Sequence, residues 1–412
     1  MTSKTVKARD SFWNISLVLT ASAGVNALGN FLYWAIEVRR GENSAIGIAL
    51  GFNSMVNLIT VLSLFGLAES IIRESPVGRR KPLSGLANQL LIGILVAAAV
   101  SVIYSSLGGR APSLGDTLVF IVVVLGNLTY VVSTASYMAA KKLGDLFWIA
   151  LFVAVAKLIL ATFCPTNSFF WILAPYGAVV LLSSSISLFR IRKNLNPKRI
   201  EMAPVRKHNP LVLGRYRFVN WFGSVFSLVP VAAVLFVVNR LEGPFSVASY
   251  SIPFTLMSGM ALPAAALGNA FFIRSTAAFS QGKTLKPSWN LLAPAAAIVG
   301  LCLAGLMLAP VVHAAIGKNL FPESLVLTKW LLVATIFMIP NYLIDARLNS
   351  NGNYFGFLVT NVLGSSSLAT LGVVAIWLNP LMLGPAWVAG QLIYSFVGLL
   401  CLSRWKNYSP TP

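Results

Sequence analysis

Acidic side chains are scarce in this chain. Its 412 residues include eleven Asp and Glu, two His and three Cys. The carboxylates are scattered, so no cluster of them sets up a metal site. His208 falls in a basic loop and His313 at the end of an apolar run. Cys164, Cys302 and Cys401 sit in or at the ends of apolar runs without metal-ligand spacing, and they read as packing residues. No Gly-rich phosphate loop opens a helix, and no nucleophile sits in a recognisable elbow. Charge is thin overall, at 10 % of residues against about 25 % in soluble domains. These shortages point away from an enzyme and imply no cofactor. An ATPase has no soluble domain to occupy, and the loops are too short to build a catalytic surface.

What is abundant is apolar length. Hydrophobic residues make up 57 % of the chain, and apolar runs recur throughout. The stretch from Asn30 to Pro76 sets the pattern: the end of one apolar run, a charged turn with Glu37, Arg39, Arg40 and Glu42, an uncharged run from Ala45 to Ala68, and a second charged turn. A helix over Ala45–Ala68 is about 36 Å long, enough to cross a bilayer core of about 30 Å. Without water at that depth the backbone must bond to itself, and a helix does so. The same reading gives twelve spans: Asn14–Ile36, Ala45–Ala68, Leu83–Ser105, Leu114–Ala139, Leu146–Cys164, Phe169–Phe189, Val219–Asn239, Phe245–Phe272, Leu291–Val312, Leu325–Ala346, Phe355–Leu378 and Leu381–Leu402. The first run lacks a small-residue cleavage site and reads as a retained helix.

Net charge is +20. The basic residues are dispersed over loops and gathered on no single face, which argues against nucleic acid as a partner. With the N-terminus cytoplasmic, 24 of the 31 Lys and Arg fall on the cytoplasmic side and six on the other, with Lys157 inside a span. That bias orients a multi-pass protein of the inner (plasma) membrane with both termini cytoplasmic and membrane lipids around it. The longest loop, basic and proline-containing, is expected as a linker over 190–213 between lobes 1–189 and 214–412. Shifting the chain by 201 residues brings Arg39 onto Arg240 and Ile72-Arg73 onto Ile273-Arg274. Two parallel six-helix repeats follow. The expected fold is an all-α polytopic membrane protein, with twelve transmembrane helices in two six-helix lobes around a central cavity. Small residues such as Gly47, Gly51 and Ser54 allow close helix approach. Pro230, Pro253, Pro263 and Pro340 introduce kinks.

Lys157 is the one basic residue deep in a span. At a helix centre it costs about 2.5–3.5 kcal/mol on insertion scales, so it faces a wet cavity or a partner. It reads either as a cationic wall for an anionic group or as a helix-locking residue. Arg39, Arg40 and Arg240 end spans one and seven, as interfacial anchors or as a positive ring at a cavity mouth. Glu37 and Asp345 are the carboxylates placed to couple an ion. Asp345 with Arg347 also reads as a helix-end ion pair. Tyr33, Trp34, Asn341 and Tyr342 offer faces and amides to sugars, though aromatic residues also gather at interfaces.

The Asn30–Pro76 stretch, with its aromatic LYW, charged turn and LFGLAESIIRESP end, resembles the polysaccharide-transporter branch (Wzx-type O-antigen flippases) of the multidrug/oligosaccharidyl-lipid/polysaccharide exporters. The resemblance implies two six-helix lobes around a cavity. It also implies flipping of polyprenyl-diphosphate-linked oligosaccharide units by alternating access, for surface polysaccharide synthesis. Lys157, Arg39, Arg40, Arg240, Tyr33 and Trp34 are then the candidate substrate contacts. Drug/cation antiporters of the same superfamily carry a carboxylate within the first helix, whereas here only Glu37 approaches it, at the helix end. Two alternatives stand beside the flippase. One is an ion-coupled exporter of small cationic molecules, which calls for carboxylates in the cavity. The other is a membrane scaffold for a polysaccharide polymerase, which needs no cavity.

Overall fold

The computed structural model describes residues 3–41, 43–74, 85–107, 113–140, 142–194, 210–279, 292–316 and 323–404. Among them the regular structure is entirely helical. The first half holds α1 (Ser3–Arg40), α2 (Asn43–Leu64), the short α3 (Leu67–Glu74), α4 (Leu86–Leu107), α5 (Leu114–Ala139), α6 (Leu143–Phe163) and α7 (Phe169–Asn194). The second half holds α8 (Pro210–Glu242), α9 (Pro244–Phe279), α10 (Leu292–Ile316), α11 (Glu323–Ser350), α12 (Tyr354–Leu378) and α13 (Leu383–Arg404). Eleven of these are long and apolar enough to cross a membrane, and the 38-residue α1 is the twelfth long helix. With α1 counted as a span, the start of α1 and the end of α13 fall on the same face, called here the near face. Arg40 and Glu242 lie at the far face.

Local chemistry sets several helix ends. The Ser113 side chain accepts from the Asp116 amide at 3.0 Å and starts α5, and Asn353 does the same for Gly356 at 2.9 Å in α12. Inside the spans, hydroxyls fold back onto carbonyls one turn earlier, as Thr60 to Val56 and Thr335 to Leu331. That lets polar side chains sit in an apolar setting without unmet donors. Helix α7 continues to Asn194 and α8 begins at Pro210. The stretch expected as a linker is thus helical at both ends, and 195–209 lies outside the described residues.

Packing repeats between the halves. Helix α1 packs on α6, and its counterpart α8 on α12. The pair α5–α7 matches α11–α13, and α4–α5 matches α10–α11. Helices α4 and α10 hold equivalent edges, each with only 17 % of its apolar window buried. Between the lobes, α1 packs on α9 and α2 on α8, the exchange expected of a two-fold relation. One apolar core runs across this seam from Ile46, Ala49 and Leu50 to Val234, Val238 and Phe254. The outside is strongly apolar: Trp148, Phe163, Phe189, Met307 and Trp377 are each at least 66 % exposed. Such a surface suits lipid and not water.

One expected span is interrupted. The run Ala45–Ala68 breaks at Phe65 (φ 45°) and Gly66 (φ 69°), both left-handed, between α2 and α3. Gly66 takes this conformation freely, whereas Phe65 is strained in it. The break leaves the Leu62 carbonyl without its next-turn donor. The Trp221 indole of α8 supplies one, donating at 3.2 Å. The Phe65 and Trp221 rings lie 4.6 Å apart. An aromatic latch thus joins the two lobes at the near face.

Candidate functional site

Two cavities meet at the lobe interface. The first, about 330 Å³, opens among α1, α2, α5, α6 and α7 and is closed by α8 and α9. Lys157 lies on its wall. The side chain is 2 % exposed, and its Nζ donates to Asn30 Oδ1 at 2.7 Å and stands 4.0 Å from the centre of the Tyr176 ring. Helix α1 thus supplies an amide and α7 a ring face, and the ammonium points inward, away from lipid. A desolvated cation over a ring gains about 2 kcal/mol. Behind it, Tyr33, Trp34 and Tyr176 form one aromatic group with centroids 5.4–6.3 Å apart. The remaining polar lining is amide and hydroxyl: Asn26, Asn53, Asn57, Asn127, Tyr130 and Ser251 are among it, and no carboxylate is. Ser251 is buried, and its hydroxyl has no hydrogen-bond partner.

The second cavity, about 520 Å³, lies mainly in the C-terminal lobe and shares Asn57, Leu228, Val231, Ser258 and Leu262 with the first. Its charged residue is Asp345. The Asn361 side-chain amide donates to Asp345 Oδ1 at 3.3 Å and the Tyr394 hydroxyl to Oδ2 at 2.8 Å. Around it, Asn341 donates to Gln391 Oε1 at 2.7 Å and Ser395 donates to Asn341 Oδ1 at 2.6 Å. Arg347 takes no part in this network, so the helix-end ion pair is not what holds Asp345. Tyr342, Trp387 and Ser365 line the same cavity, and the Trp387 indole N–H and Ser365 hydroxyl are buried without partners.

The other candidates separate. Trp34 lines the first cavity, whereas the adjacent Tyr33 is fully buried and donates its hydroxyl to the Ile172 carbonyl of α7. The Arg40 guanidinium donates to the Ala161 carbonyl of α6. Arg39 and Arg240 are exposed at the far face, and neither lines the interface cavities. Glu37 is 1 % exposed near the far end of α1, lines neither cavity, and keeps Oε2 without a partner. The structure therefore brings Lys157 and Trp34 together at one cavity and puts Asp345 at the other. It leaves Arg39, Arg40, Arg240, Tyr33 and Glu37 outside both. The asparagines of the first cavity were missed from sequence, yet a signal existed. Asn26 with Asn30, and Asn53 with Asn57, are spaced by four in apolar helices, which puts each pair on one face.

No family model matches the chain, and no curated protein does. Solved structures do match. A crystal structure of a MATE mutant superposes with a TM-score of 0.64 at 14 % identity, covering 95 % of each chain. An outward-facing multidrug resistance MATE family transporter of the MOP superfamily gives 0.62 at 14 %, covering 95 % of this chain and 94 % of the other. A eukaryotic MATE transporter gives 0.62 at 13 %, covering 98 % and 96 %. At these identities the likeness concerns the fold: the chain has the two-lobed architecture of MATE transporters along nearly its whole length.

Proposed function

We propose that the protein is a membrane exporter that works by alternating access, its two lobes rocking about the paired cavities. The observation that carries this reading is a pair of polar cavities meeting at the seam of two repeated lobes, in a fold shared with MATE transporters. A scaffold for a polymerase needs no such chamber. The charge bias of the loops makes the near face cytoplasmic, in the plasma membrane. The aromatic latch of Phe65 and Trp221 then lies at the cytoplasmic end, and its release admits cargo.

The cargo follows from the lining. The first cavity presents one ammonium, several amides and an aromatic wall, with no carboxylate, which favours a polar, hydrogen-bonding cargo with negative charge. A polyprenyl-diphosphate-linked oligosaccharide has this character, and moving it outward gains about 2.3 kcal/mol per negative charge per 100 mV. That is the flippase reading, with its lipid tail in the bilayer. The solved neighbours favour the other reading, ion-coupled export of small cationic molecules, since two are described as multidrug resistance transporters, outward-facing and inward-facing. The comparisons support it better than the flippase, and Asp345 gives it a carboxylate for a coupling ion. Lys157 argues that the first cavity does not receive the cation itself.

Reconstitution in liposomes separates the two. One set carries a fluorescent polyprenyl-diphosphate oligosaccharide and reports its movement between leaflets. The other carries soluble anionic and cationic dyes under an ion gradient. Lipid movement lost in Lys157→Ala supports the flippase. Gradient-driven dye export without lipid movement supports the small-molecule exporter. Activity in neither set, with folded protein, overturns transport.

A further inference from the structure

On the N-terminal lobe, a groove of about 470 Å³ shares no residue with either interface cavity. It runs between α6 and α7 at their near-face ends. Helix α6 packs mainly on α1 and less on α5 and α7, so a cleft stays open beside α7. Asp145, in the first turn of α6, and Arg190, one turn before the end of α7, are its charged lining. Trp148 and Phe152 follow one and two turns deeper on α6, and Ile186 one turn deeper on α7. All three are more than half exposed. From Asp145 to Phe152 the groove reaches about 10 Å along the helix.

The floor has already used its donors. Ser183 and Ser187 are buried and donate to the carbonyls of Val179 and Ser183, at 2.6 and 2.7 Å. The Tyr137 hydroxyl donates to the Ser187 carbonyl at 3.4 Å. The polar groups left to a ligand are therefore the carboxylate and the guanidinium. Both residues are exposed, and among the described residues neither is held in an ion pair. In a membrane this groove opens sideways onto acyl chains, with its charges at the level of the headgroups.

Charge complementarity selects the occupant. A guanidinium takes a phosphate through paired N–H donors, and a carboxylate accepts from an ammonium. A headgroup with negative charge alone meets Arg190 but is repelled by Asp145. Lys142 stands just before α6 and does not line the groove. We propose that the groove docks a phospholipid of the near-face leaflet whose headgroup carries both a phosphate and a primary ammonium, as phosphatidylethanolamine does. Arg190 takes the phosphate and Asp145 the ammonium, while an acyl chain lies along Trp148, Phe152 and Ile186. The lipid is no cargo. Lys157 lies about 18 Å further along α6, so the lipid braces the helix that brings the ammonium to the first cavity.

Native mass spectrometry tests the site on the full-length protein, delipidated in neutral detergent and titrated with one phospholipid at a time. Phosphatidylethanolamine is expected to bind more tightly than phosphatidylcholine, whose ammonium has no N–H, and than phosphatidylglycerol, which brings no cation. Arg190→Gln weakens phosphatidylethanolamine binding about tenfold, through loss of charge-assisted hydrogen bonds. Asp145→Asn abolishes the preference over phosphatidylglycerol. Arg404→Gln, at the near-face end of α13, changes neither. Should Arg190→Gln fail to fold, the headgroup preference in Asp145→Asn carries the test. A preference unchanged in the folded variants overturns the site. Wild-type protein that binds phosphatidylglycerol as tightly as phosphatidylethanolamine overturns the zwitterionic assignment, and equal binding of phosphatidylcholine overturns the contact between Asp145 and the ammonium.

Discussion

The two interface cavities hold one charge each, of opposite sign, and each charge is gripped by an asparagine and a tyrosine. Lys157 leans on Asn30 and the face of Tyr176; Asp345 accepts from Asn361 and Tyr394. Within a low-dielectric interior either charge alone is costly, and among the described residues neither has an opposite charge beside it. Neutral partners reduce that cost while leaving the net charge in place. A charge held in this way stays available to a ligand, whereas an ion pair would already be spent. On the proposed function the difference in sign divides the labour, with a polar anionic cargo in the N-terminal cavity and a small cation in the C-terminal one.

The comparison is broken most severely at Asp345. Asp345→Asn keeps the hydrogen bonding and removes the charge. Gradient-driven export should fall at least about tenfold, equivalent to ~1.4 kcal/mol, while binding of an anionic cargo in the first cavity persists. Measurement of cargo flux with and without an imposed ion gradient checks it; equal loss of both would show that the cavities do not divide the work.

A smaller effect compares how the two lobes are packed. In α5–α7 a Cβ on Gly177 would stand 3.0 Å from backbone atoms of Val123, and one on Gly126 would stand 3.0 Å from the Gly177 carbonyl. In the matching pair α11–α13, a Cβ on Gly398 meets the side chain of Ile344, which can shift. Gly177→Ala should therefore destabilise by about 1–3 kcal/mol, and Gly398→Ala by less. Thermal unfolding in detergent reads the order, and the reverse order would refute the packing argument.

The smallest effect belongs to the latch between the lobes. Trp221→Phe keeps the ring against Phe65 but drops the donation to Leu62, worth about 1 kcal/mol. That should raise thiol labelling of Ser258→Cys from the near face several-fold. Unchanged labelling would mean that the latch does not gate access.

Much of the architecture could be read before any coordinates, because apolar length is set by bilayer thickness and charge bias by orientation rules. Most helices follow the expected spans within about five residues, whereas α1, α8 and α9 run on at their near-face ends, to Ser3, Pro210 and Phe279 against the expected Asn14, Val219 and Phe272. The break at Phe65 was hidden, since a phenylalanine in an apolar run carries no mark of positive φ and Gly66 is one glycine among many. Lys157 was legible because its cost demanded a reason. Tyr33 and Trp34 were indistinguishable in sequence, yet a helix turns about 100° between them, and only Trp34 reaches the cavity. Arg39 and Arg240 stayed open between anchor and cavity mouth for a related reason: a basic residue at a span end looks the same whether it faces a chamber or bulk water.

The most direct test concerns the sign of the first cavity. Matched dyes that differ only in one charged group are loaded into liposomes containing wild-type protein or Lys157→Met. The account predicts that the wild type exports the anionic dye in preference to the cationic one, and that the preference disappears in Lys157→Met at equal protein content. A wild-type preference for the cationic dye, unchanged by the substitution, would contradict it.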